Sequence, residues 1–430
     1  MNNTADSILA APQATNAARY TAYLPPRRSL QSQATPWILT LLLMLALPFL
    51  FSGMLGVSVL TQICTAITFA LAYNMLLGGT GLLSFGHALY FGIGAYTTGH
   101  LLNGFGAAVP VVLLPLAGGL AALLAGAVLA LFTVRHDKTT YAMISLAIGQ
   151  LAFAAATIMT SWSGGDSGIR LNPADANGWG IDFGSPRAMY FLIAGWTWLS
   201  ALAMFMLTRT PLGRLMNATR DNAERVEFVG FSPVGIRGRA LTLSAGFAGI
   251  AGSLYALGMQ VVTTDTFGLP QTSVVMLQTY IGGYGSFFGP VLGAVLMTLS
   301  AAHLSALTDA WPLYIGAFFL IVIIFSQQGL VGAATNAWTY FPRAWKEQGT
   351  VRLGTSLLKR LLFNLMTVAG FIGLVEMIQS WSQNSSAPVT ILQGAASFSI
   401  DPHALWHWLA AALLLILGIT GLRWMRRPAH

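Results

Sequence analysis

Apolar runs about as long as a bilayer is thick alternate with short polar segments along most of the 430-residue chain. A spanning helix needs about 20 mostly apolar residues. Windows of that kind predict helices near 37–55, 57–77, 82–103, 108–133, 140–160, 188–208, 240–262, 289–307, 311–326, 359–380 and 403–422. A further apolar stretch, 271–285, is short, and glycine interrupts its end. The expected fold is an all-α polytopic integral membrane protein with about 10 core transmembrane segments, some short or broken. An additional C-terminal two-helix hairpin follows them. The expected organisation is a cytosolic arm over 1–35, taken as disordered, a core over 36–332, a basic cytosolic linker over 333–358, and the hairpin with a basic tail over 359–430.

Composition agrees with the pattern. Only 8% of residues are charged, against about 25% in a soluble domain. The net charge of +8 suits a nucleic-acid binder, but its distribution does not. All the Lys and Arg except Arg170 and Arg187 fall in the N-terminal arm, in 135–138, 209–239 and 343–360, or at the C-terminal end. Cytoplasmic loops collect such residues. Both termini and loops 135–138, 209–239 and 331–358 are therefore expected in the cytosol, and loops 161–187, 263–270 and 381–402 outside. Alternation of sides then requires 271–285 to cross, at least as a short or broken helix. The surroundings implied are membrane lipid; no nucleic-acid partner is expected. Cys64 is the only cysteine, so no intramolecular disulfide forms. The first apolar run starts at Pro36 and reads as a retained span, not a secretory signal.

Two glycine-rich elements stand out, LLGGTGLLSFG at 76–86 and YIGGYGSFFGP at 280–290. Their likeness suggests an internal duplication. Glycine lets helices approach closely and lets them unwind where neighbouring protein satisfies the backbone. Tight packing is one reading. The other is that Gly78, Gly79, Gly81, Ser84, Gly86, His87, Gly282, Gly283, Gly285 and Ser286 line a translocation path, and the two are compatible. Short, Gly-interrupted segments in both halves point to such paths in transporters. A phosphate-binding loop needs Gly-Lys-Ser/Thr, and none of the three lysines follows a glycine; ATP and Mg would sit on another subunit, with no cofactor in this chain. Ion-coupled carriers keep charged residues within their spans, and between 36 and 330 none falls mid-span. This disfavours an ion-coupled secondary transporter or channel. No nucleophile, base and orienter recur at readable spacing, which disfavours an enzyme. His403 and His407 stand four apart, but two ligands do not close a metal site, and no metal is expected.

The 209–239 loop is the candidate for an energy input. TPLGRLMNATRDNAERVEFVGFSP reads as one cytosolic helix capped by Thr210 and closed at Gly230 before Pro233. Leu212, Leu215, Met216, Ala223 and Val226 form an apolar stripe, suited to a membrane surface or to a partner's groove. Asp221–Arg225 and Arg220–Glu224 are pairs at i,i+4.

From NMLLGGTGLLSFGHALYFGIGAY through YAMISLAIGQ, TSWSGGDSGI, TPLGRLMNATRDN and LSAGFAGIAGSLYAL to IGGYGSFFGPVLGAVLM, the chain resembles the LivM-type permeases of branched-chain amino-acid ABC importers. The resemblance runs over roughly 60–332; residues 333–430 lie outside it. It implies a bacterial inner-membrane permease that moves branched-chain amino acids, or urea, short amides or similar small neutral or zwitterionic solutes, by alternating access. It implies three kinds of company: a second related permease subunit, two cytosolic ATPase subunits, and a periplasmic or extracellular substrate-binding protein. It also implies that the 209–239 helix docks on an ATPase subunit, through Leu215, Arg220, Asp221, Glu224, Arg225, Glu227 and Gly230.

Overall fold

A computed structural model describes residues 30–51, 53–175, 182–326, 328–382, 389–391, 398–400 and 405–424. The chain divides into two compact units, 1–50 and 51–430. In the first, α1 (Leu30–Leu50) is a 21-residue helix carrying Pro36 and Pro48.

The second unit is built from α2 (Met54–Thr80), α3 (Ala88–Phe105), α4 (Leu114–Thr133), α5 (Lys138–Ile158) and α6 (Pro186–Arg209). Two short helices follow, α7 (Pro211–Asp221) and α8 (Ala223–Phe228), then α9 (Pro233–Met259), α10 (Leu269–Gly282), α11 (Gly289–Leu304) and α12 (Trp311–Phe325). The last are α13 (Gly329–Ser382) and α14 (Leu405–Trp424). The protein is all-α and polytopic, as the apolar pattern predicts. Among the described residues, six helices are long and apolar enough to cross a membrane alone, and shorter apolar helices include 289–304 and 406–418.

Small residues set the packing. α9 is the central helix, with α2, α3 and α4 packed around it. Its Gly249 lies against Gly94 of α3 and Gly118 of α4 so closely that a methyl group would meet their backbones. Ser253 donates to the Gly94 carbonyl at 3.2 Å. Without a hydrophobic drive between helices in lipid, close approach of this kind holds them together.

Two expectations are corrected. The segment predicted over 82–103 is helical only from Ala88; 81–87 is an unwound link. Its residues are apolar, which hydropathy reads as helix, but α2 already ends at Gly81 in a left-handed turn (φ 71°). Second, 333–358 is not a loop: α13 runs unbroken through it. The stretch 271–285, expected as a short or broken helix, is one: a 14-residue helix over 269–282 followed by a break at Gly283 (φ 109°). At 1.5 Å per residue such a helix reaches about 21 Å, short of a core about 30 Å thick.

Among the described residues the strands form two small antiparallel pairs. β1 (Ile169–Arg170) pairs β2 (Val261–Val262), and β3 (Val389–Ile391) pairs β4 (Phe398–Ile400) in the link between α13 and α14. Tyr314 of α12 donates to the Glu376 carboxylate of α13 at 2.7 Å. Gly370 and Gly418 let α13 and α14 meet backbone to backbone.

Candidate functional site

Both glycine elements are places where a helix stops and the chain crosses a gap before the next begins. In the first, the freed backbone finds partners on neighbouring helices. Phe85 N–H donates to Ser145 Oγ (3.1 Å) and Ala88 N–H to Thr272 Oγ1 (3.0 Å). In the second, Gly289 N–H donates to Ser286 Oγ (3.0 Å), and the Ser286 carbonyl accepts from Asn74 Nδ2 (3.3 Å). Broken backbone at membrane depth is tolerated only where protein satisfies it in this way.

The predicted path residues separate into two groups. Gly86 presses on the Ser145 carbonyl, Gly282 on the Gly289 carbonyl and Gly283 on the Gln328 carbonyl. These are packing positions. Ser84 is buried beside Tyr90, Tyr141 and Ser145 around a void of about 10 Å³. His87 is fully buried. Ser244 Oγ donates to the Ala72 carbonyl at 2.6 Å, so the 3.3 Å contact between His87 Nε2 and Ser244 Oγ has the histidine as donor. Phe69, Tyr73 and Tyr90 enclose its ring. Gly78, Gly79, Gly285 and Ser286, by contrast, line a cavity of about 200 Å³ with Asn74, Met216 and Arg220. Gly81 and Gly285 also line an adjoining vestibule of about 480 Å³ with Lys138, Arg220, Tyr280 and Tyr284. A Cβ at Gly285 would meet no atom within 4 Å.

A second cavity, about 220 Å³, lies further along α2, lined by Thr61, Gln62, Thr65, Gln271, Gln278 and Thr298 with Phe69, Phe91, Tyr255 and Trp311. Its lining contains no Asp, Glu, Lys or Arg. α2 thus borders both cavities, with Thr61–Phe69 on one and Leu71–Gly79 on the other. Between them α2 and α10 touch, where Thr279 Oγ1 lies 3.5 Å from the Ala70 carbonyl.

The 209–239 loop is not one helix. Thr210 caps α7 as predicted, accepting from Gly213 N–H at 3.3 Å. Asn222 then turns extended (φ −156°, ψ 103°) and caps α8 by accepting from Arg225 N–H at 2.9 Å. Asn competes for the backbone in this way, which is why it favours caps over helix interiors. The apolar stripe turns inward: Met216 and Val226 are buried and Leu215 is half-buried. Asp221, Glu224, Arg225, Glu227 and Gly230 are exposed. Gly230 (φ 92°) closes α8.

Arg220 behaves unlike its neighbours. Its Nη1 donates to the Gly78 carbonyl at 2.6 Å and its Nε to Asp221 Oδ1 at 3.1 Å. It therefore belongs to both predicted sites at once. The sequence reading missed Lys138, whose Nζ lies 3.4 Å from the Arg220 carbonyl. It also missed an exposed apolar knob beside Gly230, with Phe228 90% and Val229 70% exposed. Aromatic residues flanking a helix-ending glycine in a charged loop were the available signal. Among the described residues no group of three or more His, Cys, Asp or Glu is placed to hold a metal; Asp401 and His403 lie outside them.

A polytopic bundle with two uncharged-to-basic cavities strung along one helix is a membrane permease in architecture. The sequence profile described as "Branched-chain amino acid transport system / permease component" matches residues 55–327, and the chain belongs to that family. It is 30% identical to the high-affinity branched-chain amino acid transport system permease protein LivM of Escherichia coli (strain K12), over 68% of this chain and 73% of that protein. It is 26% identical to the autoinducer 2 import system permease protein LsrC of Shigella flexneri, over 67% of this chain and 84% of that protein. No solved structure matches significantly. All of α13 and α14 lie outside the family match.

Proposed function

We propose that the chain is the transmembrane permease subunit of an ABC importer, passing branched-chain amino acids inward by alternating access. The carrying observation is the pair of cavities along α2, the far one lined entirely by neutral side chains. Threonine and glutamine there supply hydrogen bonds to a zwitterion's polar end, and the aromatic rings receive a branched apolar side chain. Such a lining has no ion relay. The end carrying Lys138, Arg220 and the 209–239 loop faces the cytosol, as its basic residues require. The exposed face of α7–α8, with Phe228 and Val229, docks on one of two ATPase subunits that hold ATP and Mg. A second related permease and a soluble binding protein complete the importer in the bacterial inner membrane.

The test is uptake by proteoliposomes holding the chain with its companion subunits and binding protein. Leucine accumulation that stops when ATP is withdrawn and persists with an uncoupler is expected. Uptake that survives ATP withdrawal and fails with the uncoupler would overturn the reading. The relative named for autoinducer 2 import shows that such chains serve other cargoes. Urea accumulated in preference to leucine would move the substrate assignment to short amides.

A further inference from the structure

We propose that Arg220 is the positioning residue that carries motion from the docking element into the pathway. The inference rests on the reading that α7–α8 receive force from a partner ATPase.

The last carbonyls of a helix have no partner within it, and a cation is favoured beside them. Two such helix ends meet here. Gly78 lies in the last turn of α2, and its carbonyl is held by Arg220 Nη1 at 2.6 Å. The Arg220 carbonyl lies in the last turn of α7 and has Lys138 Nζ at 3.4 Å. Lys138 is the first residue of α5. The two cations therefore tie α5 to α7 and α7 to α2 in series. The nearest carboxylate is Asp221, 70% exposed, which takes Arg220 Nε and leaves Nη1 for the Gly78 carbonyl.

The chain of contacts goes on into the pathway wall. The backbone of Gly78 is packed on the Tyr284 carbonyl, with no room for a methyl group between them. One turn earlier, Asn74 Nδ2 donates to the Ser286 carbonyl at 3.3 Å. Residues 284–286 line the nearer cavity together with Arg220 itself. A displacement of α7 thus reaches the 284–286 loop through the end of α2, with this charge-assisted hydrogen bond as the polar joint between α7 and α2 beside the packing of Met216 on Gly79. Such bonds are about twice as strong as neutral ones, so the joint transmits pull as well as push.

The geometry supplies a covalent substitute for that joint. A Cβ built on Gly79 would stand 3.7 Å from the Met216 Cβ, within the roughly 3.5–4.5 Å that a disulfide spans. Cys64, the chain's own cysteine, is buried and does not interfere. A Gly79→Cys/Met216→Cys pair would therefore bond α2 to α7 one turn from Arg220.

The experiment measures leucine moved per ATP hydrolysed by the full reconstituted complex. Arg220→Ala is expected to lower that ratio by about tenfold, the scale of one lost charge-assisted hydrogen bond. Arg220→Lys restores part of it, and oxidising the Gly79→Cys/Met216→Cys pair in the Arg220→Ala chain restores most of it. A ratio that Arg220→Ala leaves unchanged, or that the oxidised pair fails to restore, overturns the joint while the importer reading stands. If Arg220→Ala does not assemble, the oxidised pair in the otherwise native chain decides. Uptake that persists with α2 and α7 bonded supports their moving as one body, and uptake that stops on oxidation and returns on reduction overturns it. Uptake by the unaltered chain that ignores ATP overturns the importer reading and the joint with it.

Discussion

The glycine elements at 78–87 and 282–289 look alike in sequence and are used differently in the fold. In the first, the lining positions Gly78 and Gly79 are pressed between α2, α7 and the Tyr284 carbonyl, and Arg220 grips the Gly78 backbone. In the second, Gly285 faces open space between two cavities. One element is held by α7, and the other is the wall that the held element leans on. Glycine serves close contact in one place and clearance in the other, so its presence alone does not mark a pathway.

The sharpest break in that comparison comes from adding bulk to each side of it. Gly86→Val drives a side chain onto the Ser145 carbonyl. Overpacking costs about 1–3 kcal/mol where neighbours can move, and backbone cannot readily do so. Loss of folded protein in detergent, read by size-exclusion chromatography, is the expected outcome. Gly285→Leu is the counterpart. It should leave assembly and melting temperature little changed, because its Cβ enters open space, yet abolish uptake by filling the cavity mouth. Normal uptake would remove Gly285 from the pathway.

A smaller effect is expected in the far cavity. Gln278→Leu deletes a hydrogen-bonding side chain from its wall. A lost neutral hydrogen bond is worth about 0.5–1.5 kcal/mol, so the KM for leucine should rise severalfold with the maximal rate little changed. Tyr314→Phe removes the bond to Glu376 that joins α13 to the core. It should lower the melting temperature by a few degrees at most and leave uptake intact, since no residue of α13 lines either cavity. The smallest effect belongs to Arg225→Ala, exposed on α8. An exposed ion pair is worth about 0.2–1 kcal/mol and is screened by salt. ATPase-subunit affinity should weaken slightly at low ionic strength, and the difference should vanish at high salt.

How much of this was visible in the chain of letters follows from what hydropathy measures. Burial in lipid sets the apolar windows, so the long spans at 54–80 and 186–209 were readable almost to their ends, while the helix at 233–259 begins seven residues before its apolar window, in a stretch carrying Arg237 and Arg239. Backbone geometry is not a property of hydropathy. Residues 82–87 are as apolar as a helix, and only the run of glycines hinted that the chain unwinds there. The caps at Thr210 and Gly230 were legible because their side-chain and φ requirements are local. The break at Asn222 was not, since asparagine is tolerated in either setting and tertiary packing of Met216 and Val226 decides. The sequence offers Arg220 as a partner of Glu224 and a docking contact, whereas in the fold it pairs with Asp221 and the Gly78 carbonyl. Its turn inward depends on the free carbonyls of α2, 142 positions away in sequence.

The most direct test of the account follows Gly285→Cys in the assembled importer, with the buried Cys64 as the only other thiol of this chain. A water-soluble maleimide is applied from the cytosolic side, with and without vanadate-trapped nucleotide. The account predicts that the labelling rate differs between the two states and that Arg220→Ala erases the difference. Equal rates in both states of the unaltered-Arg220 chain would contradict it.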